Sequence, residues 1–180
     1  MSNQRNKIAF VSHCILNQAT RAEWAGGKAR RETGMLRNVV EIFLDNGIGA
    51  IQLDCPEFNL YGNPRQPRSK DGYDTPIFID HCREIAVGAC DLMERYINGE
   101  TPSSIVAIVG VENSPSCGIN NVTRTVNGED KHLPGKGHLM EALEAEMLCR
   151  GIDIPMIGVS LNHEKQKEEL FKFKRNLGYS

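Results

Sequence analysis

Residues 104–121 read SIVAIVGVENSPSCGINN. The first eight, Ser104-Ile-Val-Ala-Ile-Val-Gly-Val111, form an apolar run rich in β-branched residues and bounded by polar ones, the pattern of a buried strand. Directly after it, Cys117 sits on a stiff polar turn, preceded by Ser114-Pro115-Ser116 and followed by Gly118. A thiol just past the end of a buried strand is an unusual placement, and the chain repeats it twice. Cys14 follows the run Lys7–Ser12, and Cys55 follows the run Gly49–Leu53.

Between these strands the spacing of apolar residues is helical. Met35, Leu36, Val39, Val40, Ile42, Phe43 and Leu44 predict a helix ending at Asn46-Gly47. Thr75-Pro76 reads as an N-cap with proline in the first helical position, opening a long helix to about Tyr96. Leu139, Met140, Leu143, Met147 and Leu148 share a face over Lys136–Arg150, with Gly151 as the stop. Ile154–Val159 predicts a fourth strand and Leu161–Asn176 a last helix, while Val122–Val126 reads as either a small hairpin or an irregular loop. The order β-α-β-α-β-α-β-α predicts one doubly wound α/β domain over residues 1–180. Its mainly parallel sheet is covered by helices on both faces, a three-layer sandwich.

With 180 residues, 40% hydrophobic, 24% charged and a net charge of −2, the chain is long enough for one full core. It lacks the basic excess of a nucleic-acid binder. No apolar stretch approaches a membrane span. The N-terminal MSNQRNK runs straight into a strand-like segment without the apolar core of a signal peptide. A cytoplasmic protein is expected, with its six cysteines as reduced thiols or metal ligands.

Ligands of open parallel sheets sit beyond the carboxyl ends of the strands. Cys14, Cys55 and Cys117 should therefore face one sheet edge, on loops from strands only ~5 Å apart. The plainer reading, cysteine as a small buried hydrophobe, suits Cys82, Cys90 and Cys149, which fall within or at the end of predicted helices. It suits the other three poorly, because their neighbours are polar. Three thiolates fit a soft metal centre. One form is a [4Fe-4S] cluster held by three irons, with the fourth open as a Lewis acid. The alternatives are a non-catalytic metal or cluster carrier that uses the same cysteines and a zinc hydrolase of the same fold, with His13 beside Cys14 available for a mixed zinc site.

The motifs S-x-C-I-L-N at Ser12–Asn17, C-P-E at Cys55–Glu57, G-x-P-x-x-P-R at Gly62–Arg68 and S-P-S-C-G at Ser114–Gly118 resemble, in this order, the bacterial thiouracil desulfidase family. The resemblance covers about residues 7–160 and implies a Rossmann-like fold. It also implies a [4Fe-4S] cluster on Cys14, Cys55 and Cys117, and non-redox removal of sulfur from a small thiolated heterocycle as hydrogen sulfide. Glu57, Ser114 and Ser116 then map to the groups that handle water and substrate. Glu57 is either the general base or a helix cap, with Asp54 competing for the first role. The serines either donate to substrate or satisfy the turn. The first motif departs from the family pattern at Ile15-Leu16-Asn17 and over Arg21–Gly27, so the particular thiolated substrate stays open.

Further residues draw two readings each. Arg65 and Arg68 either bind an anionic or carbonyl-bearing substrate or are ordinary exposed loop arginines. Trp24 either stacks on a planar base or pins its loop. Gly118 is expected to let backbone approach a cofactor. The stretch Pro134-Gly-Lys-Gly137 before His138 lacks P-loop spacing, though a helix start there could attract an anion.

Overall fold

The computed structural model describes residues 5–22, 33–161 and 174–175. Trp24 and nearly all of the expected last helix lie outside the described residues; Lys174 and Arg175 are helical. In chain order the elements are β1 (Lys7–Ser12), α1 (His13–Leu16), α2 (Arg37–Asp45), β2 (Ile48–Leu53), α3 (Pro56–Tyr61) and α4 (Pro76–Asn98). They continue as β3 (Ser104–Val111), β4 (Asn121–Val126), β5 (Glu129–Pro134), α5 (His138–Arg150) and β6 (Met156–Val159). Single 3-10 turns at Gln18–Thr20 and Asp71–Tyr73 shape the loops.

Four strands form one parallel sheet in the order β2-β1-β3-β6. From β1 the chain moves to one side for β2 and returns to the other side for β3. The direction of winding therefore reverses between β1 and β3, where such folds open a crevice at their carboxyl edge. Alternation along the strands feeds two separate cores. Ile8, Phe10 and Ile108 pack with Phe78, Cys82, Met93, Leu139 and Leu143 of α4 and α5. Ala9, Val11, Ala107, Val109 and Val111 pack with Val39, Ile42 and Phe43 of α2.

α4 begins where the sequence predicts. Thr75 Oγ1 accepts from Phe78 N at 3.4 Å, and Phe78, Cys82, Ala86, Cys90 and Met93 form its buried stripe. Cys82 and Cys90 are thus core residues. Cys149 is not. It is exposed, as is Leu148 at 80%, because the inward face of α5 is spent on Leu139, Met140, Leu143 and Met147.

The segment with two readings is a hairpin, β4 paired antiparallel with β5. Asn127 (φ 53°) and Gly128 (φ 80°) form its two-residue turn in the left-handed conformation that tight hairpins require. Two short helices escape the periodicity entirely, α1 and α3, each immediately after a strand. Among the described residues no helix is long and apolar enough to cross a membrane.

Candidate metal centre at the sheet edge

Each of the three cysteines is set by its own local device. Cys14 lies in the first turn of α1. Its carbonyl accepts from Gln18 Nε2, and Ile15 O accepts from Leu36 N at 2.7 Å, which ties α1 to the entry of α2. Cys55 is the N-cap of α3. Its Sγ accepts from Phe58 N at 3.4 Å, its carbonyl accepts from Asn59 N at 2.9 Å, and Pro56 fills the first helical position. Cys117 lies on a turn clasped from two sides. Val111 N of β3 donates to Cys117 O at 2.9 Å, while the first turn of α5 donates from His138 N to Pro115 O and from Leu139 N to Ser116 O, both at 3.0 Å.

That clasp depends on two glycines. A Cβ on Gly110 would lie 2.3 Å from Cys117 O, and one on Gly137 would lie 2.3 Å from the Ser116 carbonyl carbon. The N-terminus of α5 therefore spends its N–H groups on the cysteine turn, not on a free anion. Gly118 likewise makes room for protein. Its absent Cβ would sit 2.3 Å from Asn121 O and 2.9 Å from Ser114 O, so the cofactor approach expected of it is not its role.

Cys14, Cys55 and Cys117 line a single cavity of about 480 Å³, together with Ser12, His13, Arg21, Glu57, Arg65, Arg68, Glu112, Asn113 and Ser114. Residues Asp130 and His132 of the β5 strand close one wall. Burial pushes the Cys14 thiol up to about 12 and Cys55 up to about 11, and raises Cys117 well above the ordinary thiol range. After burial comes mutual repulsion: Cys55 raises Cys14, and both raise Cys117. Arg21 and Arg65 oppose the shift at Cys14 and Cys55 respectively. The Ser12 hydroxyl tempers Cys117 but makes no hydrogen bond of good geometry.

Glu57 is buried at the cavity edge and bonded on both oxygens. Ser116 Oγ donates to Oε1 at 2.7 Å, Tyr73 Oη donates to Oε2 at 3.2 Å, and Arg65 Nη2 pairs with Oε2 at 3.3 Å. Among the described residues no backbone N–H donates to this carboxylate, and the α3 cap is the Cys55 side chain. Burial, then the Glu57 charge, raises the Tyr73 phenol, with Arg65 tempering the effect.

Asp54 lines a different cavity with His81 and Glu84, so of the two carboxylates flanking Cys55 only Glu57 faces the thiols. Ser114 lines the thiol cavity while its Oγ accepts from Ser116 N (3.3 Å) and Cys117 N (3.0 Å). Ser116 is fully buried behind the cavity, turned to Glu57. Arg65 is no exposed loop arginine, since its side chain is only 7% accessible. Arg68 lies 4.9 Å above the Tyr61 ring and 5.5 Å above Tyr73. His138 is used structurally, with Nε2 3.0 Å from Lys70 O.

Sequence reasoning missed Ser12, Arg21, Tyr73, Glu112, Asp130 and His132. None stands beside a cysteine, and the last two enter only through the hairpin.

Cys14, Cys55 and Cys117 put three soft donors on one cavity, a donor type that iron-sulfur clusters take. Among the described residues no group of three or more His, Cys, Asp or Glu is placed to hold one metal ion. Ligands of one ion must all approach within ~2.3 Å of it. The ligands of a polynuclear cluster bind separate irons and sit further apart. Three thiols on one cavity suit a cofactor that carries several positive centres.

Fold and site together define a parallel α/β protein with a thiol-lined pocket at its winding switch. The family described as "Putative 2-thiouracil desulfurase" matches residues 6–136, and the chain belongs to it. All three cavity cysteines lie within the matched span. An uncharacterized protein of Methanocaldococcus jannaschii is 35% identical over 171 residues, covering 95% of this chain and 94% of that one. A solved structure titled as the [4Fe-4S]-dependent thiouracil desulfidase TudS is 19% identical, with a TM-score of 0.48, over 94% of this chain and 99% of its own.

Proposed function

We propose that the protein is an iron-sulfur-dependent desulfidase that replaces the sulfur of a thiolated, thiouracil-like heterocycle by oxygen. The observation that carries this is the opening of three thiols, Cys117 buried and Cys14 and Cys55 half-buried, from three different strand ends onto one cavity beside an engaged carboxylate. Family membership supports it. Helices on both faces of a four-stranded parallel sheet support a single Rossmann-like, three-layer domain, and a reduced cytoplasmic setting suits free thiols.

Cys14, Cys55 and Cys117 would hold a [4Fe-4S] cluster, which when bound supplies an open iron as a Lewis acid toward a thiocarbonyl sulfur. The chain's own residues supply the rest. Glu57 accepts a proton from the attacking water. Ser116, Tyr73 and Arg65 hold that carboxylate in one orientation. Ser114, whose oxygen accepts from two backbone N–H groups, keeps its own O–H free to donate to the substrate. A C–O bond forms and the C–S bond breaks. Both protons of the water leave with the sulfur as hydrogen sulfide, and no electrons are exchanged.

Anaerobic reconstitution should give about four irons per chain and sulfide release from 2-thiouracil or a related thio-compound. Cys14→Ser, Cys55→Ser and Cys117→Ser each lose iron and sulfide release, whereas Cys149→Ser, at an exposed position, keeps both. Equal behaviour of Cys55→Ser and Cys149→Ser would refute the assignment.

A further inference from the structure

Four side-chain polar atoms among the described residues are buried with no hydrogen-bond partner: Ser12 Oγ, His13 Nδ1, Arg65 Nε and His81 Nε2. Three of these residues line the thiol cavity. Buried polar groups are nearly always paired, so the cavity must receive something that completes them.

Arg65 makes the most definite demand. Its guanidinium is always charged, and Nε–H can only donate. Nη1 donates to Gly62 O at 3.2 Å and to Asn63 Oδ1 at 2.8 Å, and Nη2 pairs with Glu57 Oε2 at 3.3 Å. Of the three nitrogens, Nε is the one that makes no hydrogen bond among the described residues, on a side chain only 7% accessible, and Nη2 uses one of its two N–H groups on Glu57. Glu57 carries the matching remainder. A carboxylate offers about four lone-pair sites. Ser116 takes one on Oε1, and Tyr73 and Arg65 take two on Oε2. Among the described residues one acceptor site on Oε1 is left beside the unbonded Nε–H of Arg65, and the 3.3 Å ion pair keeps the two groups side by side.

We propose that Arg65 is a catalytic residue that binds the hydrolytic water, with Nε–H donating to the water oxygen while the water donates one O–H to Glu57 Oε1. The remaining lone pair of that oxygen then faces the cavity and forms the C–O bond as the C–S bond breaks. Arg65 keeps its proton throughout, so its contribution is position. The inference rests on the desulfidase reading above.

Arg65→Lys keeps a cation against Glu57 and removes the Nε–H. After anaerobic reconstitution the variant should match wild type in iron per chain, visible absorbance and KM, while kcat falls roughly 10²-fold, the usual cost of a misplaced reacting group. Arg65→Ala should regain rate when guanidinium is added. A high-resolution crystal structure of the wild type should show a water within hydrogen-bond distance of Arg65 Nε and Glu57 Oε1, absent in Arg65→Lys. Three results would overturn the inference: unchanged kcat in Arg65→Lys, loss of iron in step with loss of activity, or a substrate oxygen in place of water on Nε. If wild type shows the water but releases no sulfide from any thio-compound, the desulfidase reading fails and the water site stands.

Discussion

Ser116→Ala removes one hydroxyl that joins two cysteine loops. Ser116 Oγ donates to Glu57 Oε1 at 2.7 Å, with the serine fully buried. Through this bond the turn carrying Cys117 is held against the helix that begins at Cys55. A hydrogen bond to a charged group contributes about 1.5–3 kcal/mol, and its loss leaves a buried carboxylate oxygen short of a donor. Glu57 reaches the cavity edge, so water can enter and cushion the loss, which places the expected cost near ~2 kcal/mol. For a chain of this size that lowers Tm by roughly 4–8 °C. Tyr73→Phe, which removes the longer 3.2 Å bond to Oε2, should cost less, about 1 kcal/mol. Urea unfolding of the metal-free protein gives both values, provided the slope m stays constant. A double-mutant cycle between Ser116→Ala and Glu57→Ala should return a coupling of about 1 kcal/mol or more. If Ser116→Ala unfolds within about 0.5 kcal/mol of wild type, the range for a surface change, and the cycle shows no coupling, the bridge does not hold the loops and the reasoning is wrong.

Two more outcomes follow from packing and from charge. Gly137→Ala would place a Cβ 2.4 Å from Ser116 O and 2.6 Å from Cys117 N, both backbone atoms that cannot rotate aside. It should destabilise by about 1–3 kcal/mol and impair iron retention although Gly137 does not line the cavity. Gly88→Ala, with open space around it in α4, should be neutral or stabilising, and iron analysis of the two reconstituted variants checks the contrast. In the metal-free protein, burial raises Cys14 from the usual 9.0 to about 12 and Cys55 to about 11. Between those values the folded chain keeps protons that the unfolded chain releases, so the contribution of these two thiols is level below pH 9 and stability falls as the pH climbs toward 11–12. Urea midpoints across that range should show the fall, and Cys14→Ala should make it shallower.

The sequence speaks most clearly where burial is two-sided. Runs such as Ile105–Val109 admit no other reading, and the four parallel strands lie within two residues of where the pattern puts them. β5 is the opposite case. Glu129-Asp-Lys-His-Leu-Pro134 is exposed throughout, has no alternation, and is a strand only because β4 pairs with it. The Asn127-Gly128 turn was the one legible sign of it. At the site, the repeated position of cysteine after a strand was visible, but the choice between Asp54 and Glu57 was not. That choice is made by the helix starting at Pro56, which swings residue 57 to the cavity and leaves residue 54 on the other side. Arg65 was hardest to place, because arginine is almost never buried unless paired, and its partner Glu57 is eight residues away around a loop.

A parallel sheet fixes where strands end but not where loop tips point, so three thiols on three loops need further restraint to share a pocket. The chain provides it by docking each cysteine loop onto a helix. The Cys14 turn is tied to the entry of α2, Cys55 caps α3, and the Cys117 turn takes the first N–H groups of α5. The Ser116–Glu57 bridge then joins the second loop to the third. On the proposed reading, with the loops held this way, little chain ordering would remain to be done when a cluster binds. The opposing work is electrostatic: thiols raised by burial and by one another must give up their protons together. Arg21 and Arg65 stand on this same cavity and favour the ionised forms of Cys14 and Cys55 respectively, which on the proposed reading would ease that step.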